Sequence, residues 1–387
     1  MTEQKDSVYE GAAAERPEPG SAETRDRSHL VQIGWGESKD KYRMDSNKLN
    51  WHLDRVKQWV GPDFEFSGQI APLHIDMGIT TGCNLACHFC YGVIQARDGF
   101  FGVGKKNKPN PKLIIDGQEM GFVGRDRLVH MPEEVIKGVF SDSKDIGVRS
   151  IALIGEGENT LNKALYPSIE YARDIQFDVS MATHGANIKE QHVESLMTSL
   201  QWLRINISAA TPESYDLVHQ RPWFDKVMRA TELLLEGREK NGYRNWRGEK
   251  TAVGFQMVLT KRNFDDVVKL ARLGREMGVD YTVIKACSDT PDRELDAPDQ
   301  EYLDMVEIFK EAESYSTDNG LRSETEDGHS VVNNDAYSVI VRWNKLGNMG
   351  NKEYGVCHGT RFIIAISGDG TVFPCGHWFA RERERFA

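Results

Sequence analysis

Hydrophobic positions along this chain gather into short runs separated by longer amphipathic stretches. The apolar runs cover residues 73–79, 150–154, 177–182, 203–207, 252–258 and 281–284. Continuous apolar runs of this length suit strands buried on both faces. Between them the spacing turns helical. Pro132 stands at a first helical position with Glu133 and Glu134 in the first turn, where carboxylates meet the positive end of a helix. Asn187 with Glu190 predicts a capping box, and Asn263 with Asp266 puts a carboxylate in another first turn. A further helix starts near Pro298 and ends at Asn319-Gly320. Six strands alternating with helices predict an α/β fold with a parallel sheet. Six such units, closed partway, make a partial (β/α)6 barrel of the TIM type.

Two segments break this rhythm. Residues 92–130 form an insertion with Lys105, Lys106, Lys108 and Lys112, read as a solvated loop, and Asp116-Gly117 predicts a hairpin turn within it. Residues 361–375 predict a second hairpin around Ser367-Gly368-Asp369-Gly370. Residues 1–29 are polar and rich in Glu, Pro, Gly and Ala, the composition of a disordered tail. Residues 30–71, with Trp35, Trp51 and Trp59, read as an N-terminal extension. That leaves 72–320 for the barrel and 321–387 for a C-terminal extension.

The 387 residues carry a formal net charge of −11, which weighs against nucleic acid as a partner because phosphate binding needs basic surface. No 18-residue apolar stretch predicts a membrane span, and the N-terminus has no secretory pattern. The six cysteines are Cys83, Cys87, Cys90, Cys287, Cys357 and Cys375. Three of them fall within one short loop, which fits metal ligation in a reducing cytoplasm better than disulfides.

Cys83-x-x-x-Cys87-x-x-Cys90 follows the first strand, and Thr80-Thr81-Gly82 breaks that strand. The cysteines therefore sit at the C-terminal mouth of the barrel, where active sites lie. Thiolates are soft ligands suited to iron–sulfur clusters. Three thiolates leave one iron of a four-iron cube open to a substrate. A zinc site would want a fourth Cys or His at ordinary spacing, and His88, wedged between two cysteines, is poorly placed.

The stretch Gly82-Cys83-Asn84-Leu85-Ala86-Cys87-His88-Phe89-Cys90-Tyr91 resembles the signature of the radical S-adenosylmethionine (SAM, AdoMet) superfamily. The resemblance implies that the cysteines hold a 4Fe–4S cluster and that the open iron chelates AdoMet. Reduction then yields a 5′-deoxyadenosyl radical that takes hydrogen from substrate. It also implies that Phe89 lies against the adenine. Glu156-Gly157-Glu158-Asn159 resembles the family's GGEP segment, which binds the AdoMet amino group, with Glu for the first Gly and Asn for Pro. The chemistry agrees, since glycine admits a close backbone and a carboxylate can meet an ammonium. Thr183-His184-Gly185 stands where the family has a TNG turn. Asn206 and Ser208 end the fourth strand, where the family contacts ribose, and their amide and hydroxyl groups suit it. Gln256 on the fifth strand is a lumen candidate. Lys285 and Cys287 follow the sixth strand and are candidates for catalytic contact at the mouth, against the plainer reading of a buried thiol and a surface ion pair.

Near the C-terminus, Cys357, twelve residues, Gly370, four residues and Cys375 resemble the opening of SPASM and twitch extensions, which bind auxiliary 4Fe–4S clusters. Gly370 serves the hairpin turn. No cysteine follows Cys375, and a full auxiliary site wants about four thiolates. Cys357, Cys375 and Cys287 are one too few, so either the auxiliary site is incomplete or the chain is shortened. His358, His377 and Trp378 stand beside these cysteines and read as structural or exposed.

The expected activity is radical AdoMet chemistry on a small polar metabolite such as a sugar, nucleotide sugar or aminocyclitol. The expected partner is a low-potential donor, flavodoxin or ferredoxin. A ribosomal-peptide substrate is the second reading. The first 70 residues are too short and polar for a convincing peptide-binding winged helix. A non-catalytic iron–sulfur electron carrier is the third.

Overall fold

The computed structural model describes residues 49, 52–60, 70–90, 113–115, 118–120, 129–288, 296–297, 305–317, 322–324, 330–332, 336–342 and 357–376. The limits drawn at 29 and 320, the insertion lysines, Pro298 and Asn319-Gly320 lie outside them. The chain runs through helix α1 (Leu53–Val60), β1 (His74–Met77) and an antiparallel pair, β2 (Leu113–Ile115) with β3 (Gln118–Met120). Then come α2 (Glu133–Asp145), β4 (Ser150–Leu153), α3 (Leu165–Asp174), β5 (Asp178–Thr183), α4 (Val193–Ser199) and β6 (Leu200–Asn206). They are followed by α5 (Pro212–His219), α6 (Phe224–Asn241), β7 (Ala252–Leu259), α7 (Val267–Met277) and β8 (Tyr281–Ala286). Beyond lie α8 (Val306–Glu313), β9 (Arg322–Glu324), β10 (Ser330–Val332), β11 (Ser338–Val341), β12 (Ile363–Ile366) and β13 (Val372–Phe373).

The six expected strands are present as β1, β4, β5, β6, β7 and β8, paired in parallel in chain order. The sheet is wider than six strands. Its order is β11-β8-β7-β6-β5-β4-β1-β12-β13. Strand β12 runs parallel to β1, with Ile75 opposite Ile364 and Met77 opposite Ile366. The C-terminal hairpin is thus built into the sheet beside the strand that leads to the cysteines.

Local chemistry explains most element ends. Pro132 is the N-cap of α2, one residue outside the helix, and Ile136, Phe140 and Ser143 form its buried face. Helices α6 and α7 stop at left-handed Gly242 and Gly278. The capping box expected at Asn187 and Glu190 is not formed. Lys189 caps that turn instead, because the Asn187 side chain is engaged elsewhere. Asn263 and Asp266 bracket a short 3-10 turn, and Asp266 caps α7. At the base of the sheet Arg238 of α6 meets Asp280 with both guanidinium nitrogens, at 2.6 and 3.2 Å. Asp280 also accepts the Val253 amide at 2.6 Å.

Which face is the lumen follows from α7. A Cβ on Gly274 would stand 2.5 Å from the Thr282 hydroxyl, so Thr282 faces that helix. Phe255 and Ile205 share its layer by register. Alternation then puts His74, Asp76, Ser180, Arg204, Asn206, Gln256 and Lys285 on the other face. Barrel interiors are commonly filled with Val, Ile and Leu. This one is polar.

Candidate active site

The cysteine loop leaves β1 at Met77 and is anchored before the first cysteine. Thr80 donates its hydroxyl to the Val129 carbonyl at 2.9 Å, and the Thr81 amide donates to the same oxygen at 3.1 Å. Cys83 is exposed, and Cys87 and Cys90 are half-buried. The Cys90 amide donates to the Cys87 carbonyl at 3.0 Å, which curls the loop. His88 is turned away from the cysteines. Its Nδ1 donates to the Val218 carbonyl at 3.1 Å and its Nε2 lies 3.1 Å from the Thr260 hydroxyl. It ties the loop to the ends of α5 and β7. Fully buried His219 supports the loop from below. Its Nε2 donates to the Ile207 carbonyl, and its Nδ1 faces the Cys87 sulfur at 2.9 Å. Burial pushes the His219 imidazole down to about 3, so it is neutral.

The donor set fits a cluster. The protein packed around the Cys83 sulfur, and then the Glu158 charge, push that thiol up to about 12, although the residue as a whole reaches the surface. Burial, and then the neighbouring Cys90 and Cys83, push the Cys87 thiol well above its ordinary value. Three adjacent thiolates are therefore unfavourable without a positive centre to neutralise them. Among the described residues no three His, Cys, Asp or Glu side chains converge to hold a single ion. A cube takes its thiolates at separate corners, so this loop suits a 4Fe–4S group and not one zinc.

The turn after β4 holds the Glu156-Gly157-Glu158-Asn159 segment. Glu156 is half-buried, Gly157 has φ +73° and Glu158 is buried. The Glu158 carboxylate, expected to face an ammonium, is already engaged. One oxygen accepts from the Thr183 hydroxyl at 2.5 Å, the Thr160 hydroxyl at 2.6 Å and the Thr160 amide at 3.2 Å. The other accepts the His184 amide at 3.0 Å. Burial alone would raise its pKa. His184 and these hydrogen bonds outweigh it and hold the carboxyl below its ordinary value. Asn159, standing where the family has Pro, bridges the ends of two strands: it accepts from the Ile79 amide at 3.0 Å and donates to the Leu153 carbonyl at 2.9 Å.

A chain of side chains joins this turn to the cysteine loop. His184 Nε2 lies 2.7 Å from the Asn84 side-chain oxygen Oδ1, Asn84 Nδ2 donates to Asn187 at 3.1 Å, and Asn187 donates to the Thr160 hydroxyl at 3.0 Å. The sequence marks none of Asn84, Thr160 and His219 as a site residue, and it marks Asn187 only as a helix cap. Polar residues beside Cys83 and after the TNG-like turn were the available signal.

On the opposite wall Ser208 is fully buried in a left-handed conformation, φ 49°. Its hydroxyl donates to Asn206 at 3.1 Å and accepts the Val258 amide at 3.0 Å. It shapes the strand end, while half-buried Asn206 lies on the lumen face. Gln256 is buried and accepts from Arg204 at 3.0 Å. Phe89 packs with Val218, Val258, Cys287 and Ala297, and Cys87 packs against this group. Cys287 is thus brought beside the cysteine loop. Lys285 is half-buried on β8, level with Val258.

Cys357 is exposed and Cys375 half-buried. Cys357 precedes β12, and Cys375 follows β13, which runs antiparallel to β12. Both stand towards the N-terminal end of β1, whereas Cys287 stands at the C-terminal end of β8. The sheet separates Cys287 from the other two. His358 is exposed, and His377 and Trp378 lie outside the described residues. No described helix is long and apolar enough to cross a membrane.

An AdoMet-dependent heme synthase of Methanosarcina barkeri is 23% identical over 326 residues, 79% of this chain and 77% of that protein. Mycofactocin maturase MftC of Mycolicibacterium smegmatis is 23% identical over 219 residues, 56% of this chain and 45% of that protein, so this chain spans under half of that relative. Among solved structures, Streptococcus suis SuiB bound to S-adenosylmethionine superposes with a TM-score of 0.53 at 12% identity, over 87% of this chain and 73% of that one. That likeness shows a common fold. The profile of the radical SAM superfamily matches residues 77–274. This match spans just over half of the chain and takes in the cysteine triplet, the Glu158 turn and the end of β6, so the chain belongs to the radical SAM superfamily.

Proposed function

We propose that this enzyme cleaves AdoMet reductively and directs the radical at a small polar metabolite of the sugar, nucleotide-sugar or aminocyclitol type. As a radical SAM enzyme its cofactors are a 4Fe–4S cluster and AdoMet. When bound, the reduced cluster would supply the single electron that cleaves the sulfonium C–S bond of AdoMet to methionine and a 5′-deoxyadenosyl radical. The chain's own residues bind, orient and shield. Cys83, Cys87 and Cys90 would ligate three irons of the cluster. Gly157 admits the backbone to the methionyl end, and Glu158 fixes that turn. Asn206 faces the ribose. Phe89 and its apolar neighbours Val218, Val258 and Cys287 keep water from the adenosyl side. A flavodoxin or ferredoxin supplies the electron.

The observation that carries the substrate reading is the polar lumen below the cysteines. His74 lies 2.8 Å from the Ser150 hydroxyl and 3.1 Å from Asp76. Arg204 stacks on Trp202 and donates to Gln256. Hydroxyl, amide and charged groups of both signs suit a ligand with many polar atoms. A relative matched over most of both chains is named for haem, a small molecule, which also supports this reading.

The test is fractionation. The low-molecular-mass fraction of a cell extract is expected to stimulate 5′-deoxyadenosine formation by the reduced enzyme, and Asp76→Asn to blunt that stimulation. Stimulation by the peptide fraction alone would replace the metabolite with a peptide substrate.

A further inference from the structure

Three glycines from distant parts of the chain meet at the start of the cysteine loop. A Cβ on Gly157 would stand 2.3 Å from the Thr80 carbonyl oxygen and 2.7 Å from that of Gly82. A Cβ on Gly368 would stand 2.2 Å from the Thr80 carbonyl carbon, 2.3 Å from its oxygen and 2.6 Å from the Thr81 nitrogen. Gly78 fits between, with its Cβ position 3.2 Å from the Glu156 carbonyl and 3.3 Å from the Gly368 nitrogen. Real Cβ atoms essentially never approach backbone closer than 3.0 Å. Residues 80–82 are therefore clamped between the 156–158 turn and the turn of the C-terminal hairpin.

Hydrogen bonds close the clamp on both sides. The Glu158 amide donates to the Gly82 carbonyl at 2.7 Å, and the Gly78 amide to the Ile366 carbonyl at 2.8 Å. The hairpin turn is itself braced. Ser367 N donates to Thr371 O and Gly370 N to Ser367 O, each at 2.9 Å, and Asp369 accepts the Thr371 amide at 3.0 Å. Any side chain at 368 pushes residues 80–82 towards Gly157, where the backbone has no room to receive them.

We propose that Gly368 is a positioning residue for the AdoMet site, and that occupancy of the site and order of the C-terminal hairpin are coupled through this three-glycine seam. The inference rests on the assignment of residues 83–90 and 156–158 to cluster and AdoMet. It gives the hairpin a role independent of any metal at Cys357 and Cys375. Gly370, the glycine of the CX12GX4C pattern, has no part in the seam: nothing lies within 4 Å of its Cβ position.

The experiment uses the cluster-loaded protein under anaerobic conditions. In the wild type, adding AdoMet is expected to slow amide exchange both in 77–90 and in the hairpin peptide 362–374. Protection of 77–90 alone overturns the coupling and leaves the site assignment standing. Protection of neither overturns both. Gly368→Ala is expected to keep its iron and to bind AdoMet roughly tenfold more weakly or worse, a loss of about 1.4 kcal/mol. Gly370→Asn, which tolerates the left-handed φ of 87°, is expected to bind like wild type. Equal losses in the two variants, or none in Gly368→Ala, overturn the positioning role. The exchange measurement decides if Gly368→Ala fails to fold.

Discussion

The Glu158 carboxylate accepts the Thr183 hydroxyl at 2.5 Å, joining the turn after β4 to the end of β5. Its charge is consumed inside the protein, so in the proposed site it braces the 156–158 turn rather than meeting a ligand. Glu158→Gln keeps the shape and loses the charged acceptor. AdoMet affinity is expected to fall while iron content stays. The pH dependence has a definite sign. The folded carboxyl lies below its ordinary value of 4.5, so it binds a proton more weakly folded than unfolded. Its stabilisation is present above 4.5 and lost as pH falls through the folded value. Melting curves taken from neutral pH downward should show the gap between wild type and Glu158→Gln closing below that point. A constant gap contradicts the charged role.

Gly157 combines a left-handed φ with the Thr80 and Gly82 carbonyl oxygens standing where a Cβ would go. Gly157→Ala adds backbone strain of about 1–3 kcal/mol. It also moves the turn away from the cysteine loop. The expected result is a folded, iron-containing protein with AdoMet binding below detection by equilibrium dialysis. Near-normal binding would show that the turn can shift without consequence.

Arg238 and Asp280 form a buried pair remote from the mouth. Removing one partner leaves a buried charge alone, at a cost of about 3–5 kcal/mol. Asp280→Asn should lower the urea midpoint accordingly. At temperatures where it is folded it should bind AdoMet like wild type. A change in AdoMet affinity at full folding would mean that the sheet base communicates with the mouth.

Some of this architecture is legible in the chain. Six strands show as apolar runs because both faces of a central parallel strand are buried, and the cysteine loop shows because its three cysteines fall within eight residues. The pairing of β12 with β1 is invisible, since both read as ordinary short strands and only the fold brings them together. Asn187 reads as a helix cap because Asn-x-x-Glu is a local pattern. Its partners Asn84 and Thr160 come from elsewhere and win. Glu158 and Ser208 read from the sequence as candidate site residues, yet nothing local indicates that their polar groups are turned inward to Thr183 and Val258. Gly368 carries no signal beside Gly370, for its constraint is the Thr80 backbone just beyond the neighbouring strand β1.

Radical chemistry in this enzyme depends on the use of the open iron. Reduced, cluster-loaded wild type incubated with AdoMet is expected to release 5′-deoxyadenosine and methionine in equal amounts. Cys87→Ala, with the same reductant, is expected to release neither. Cleavage retained by Cys87→Ala, or none from wild type containing its full complement of about four irons, would contradict it.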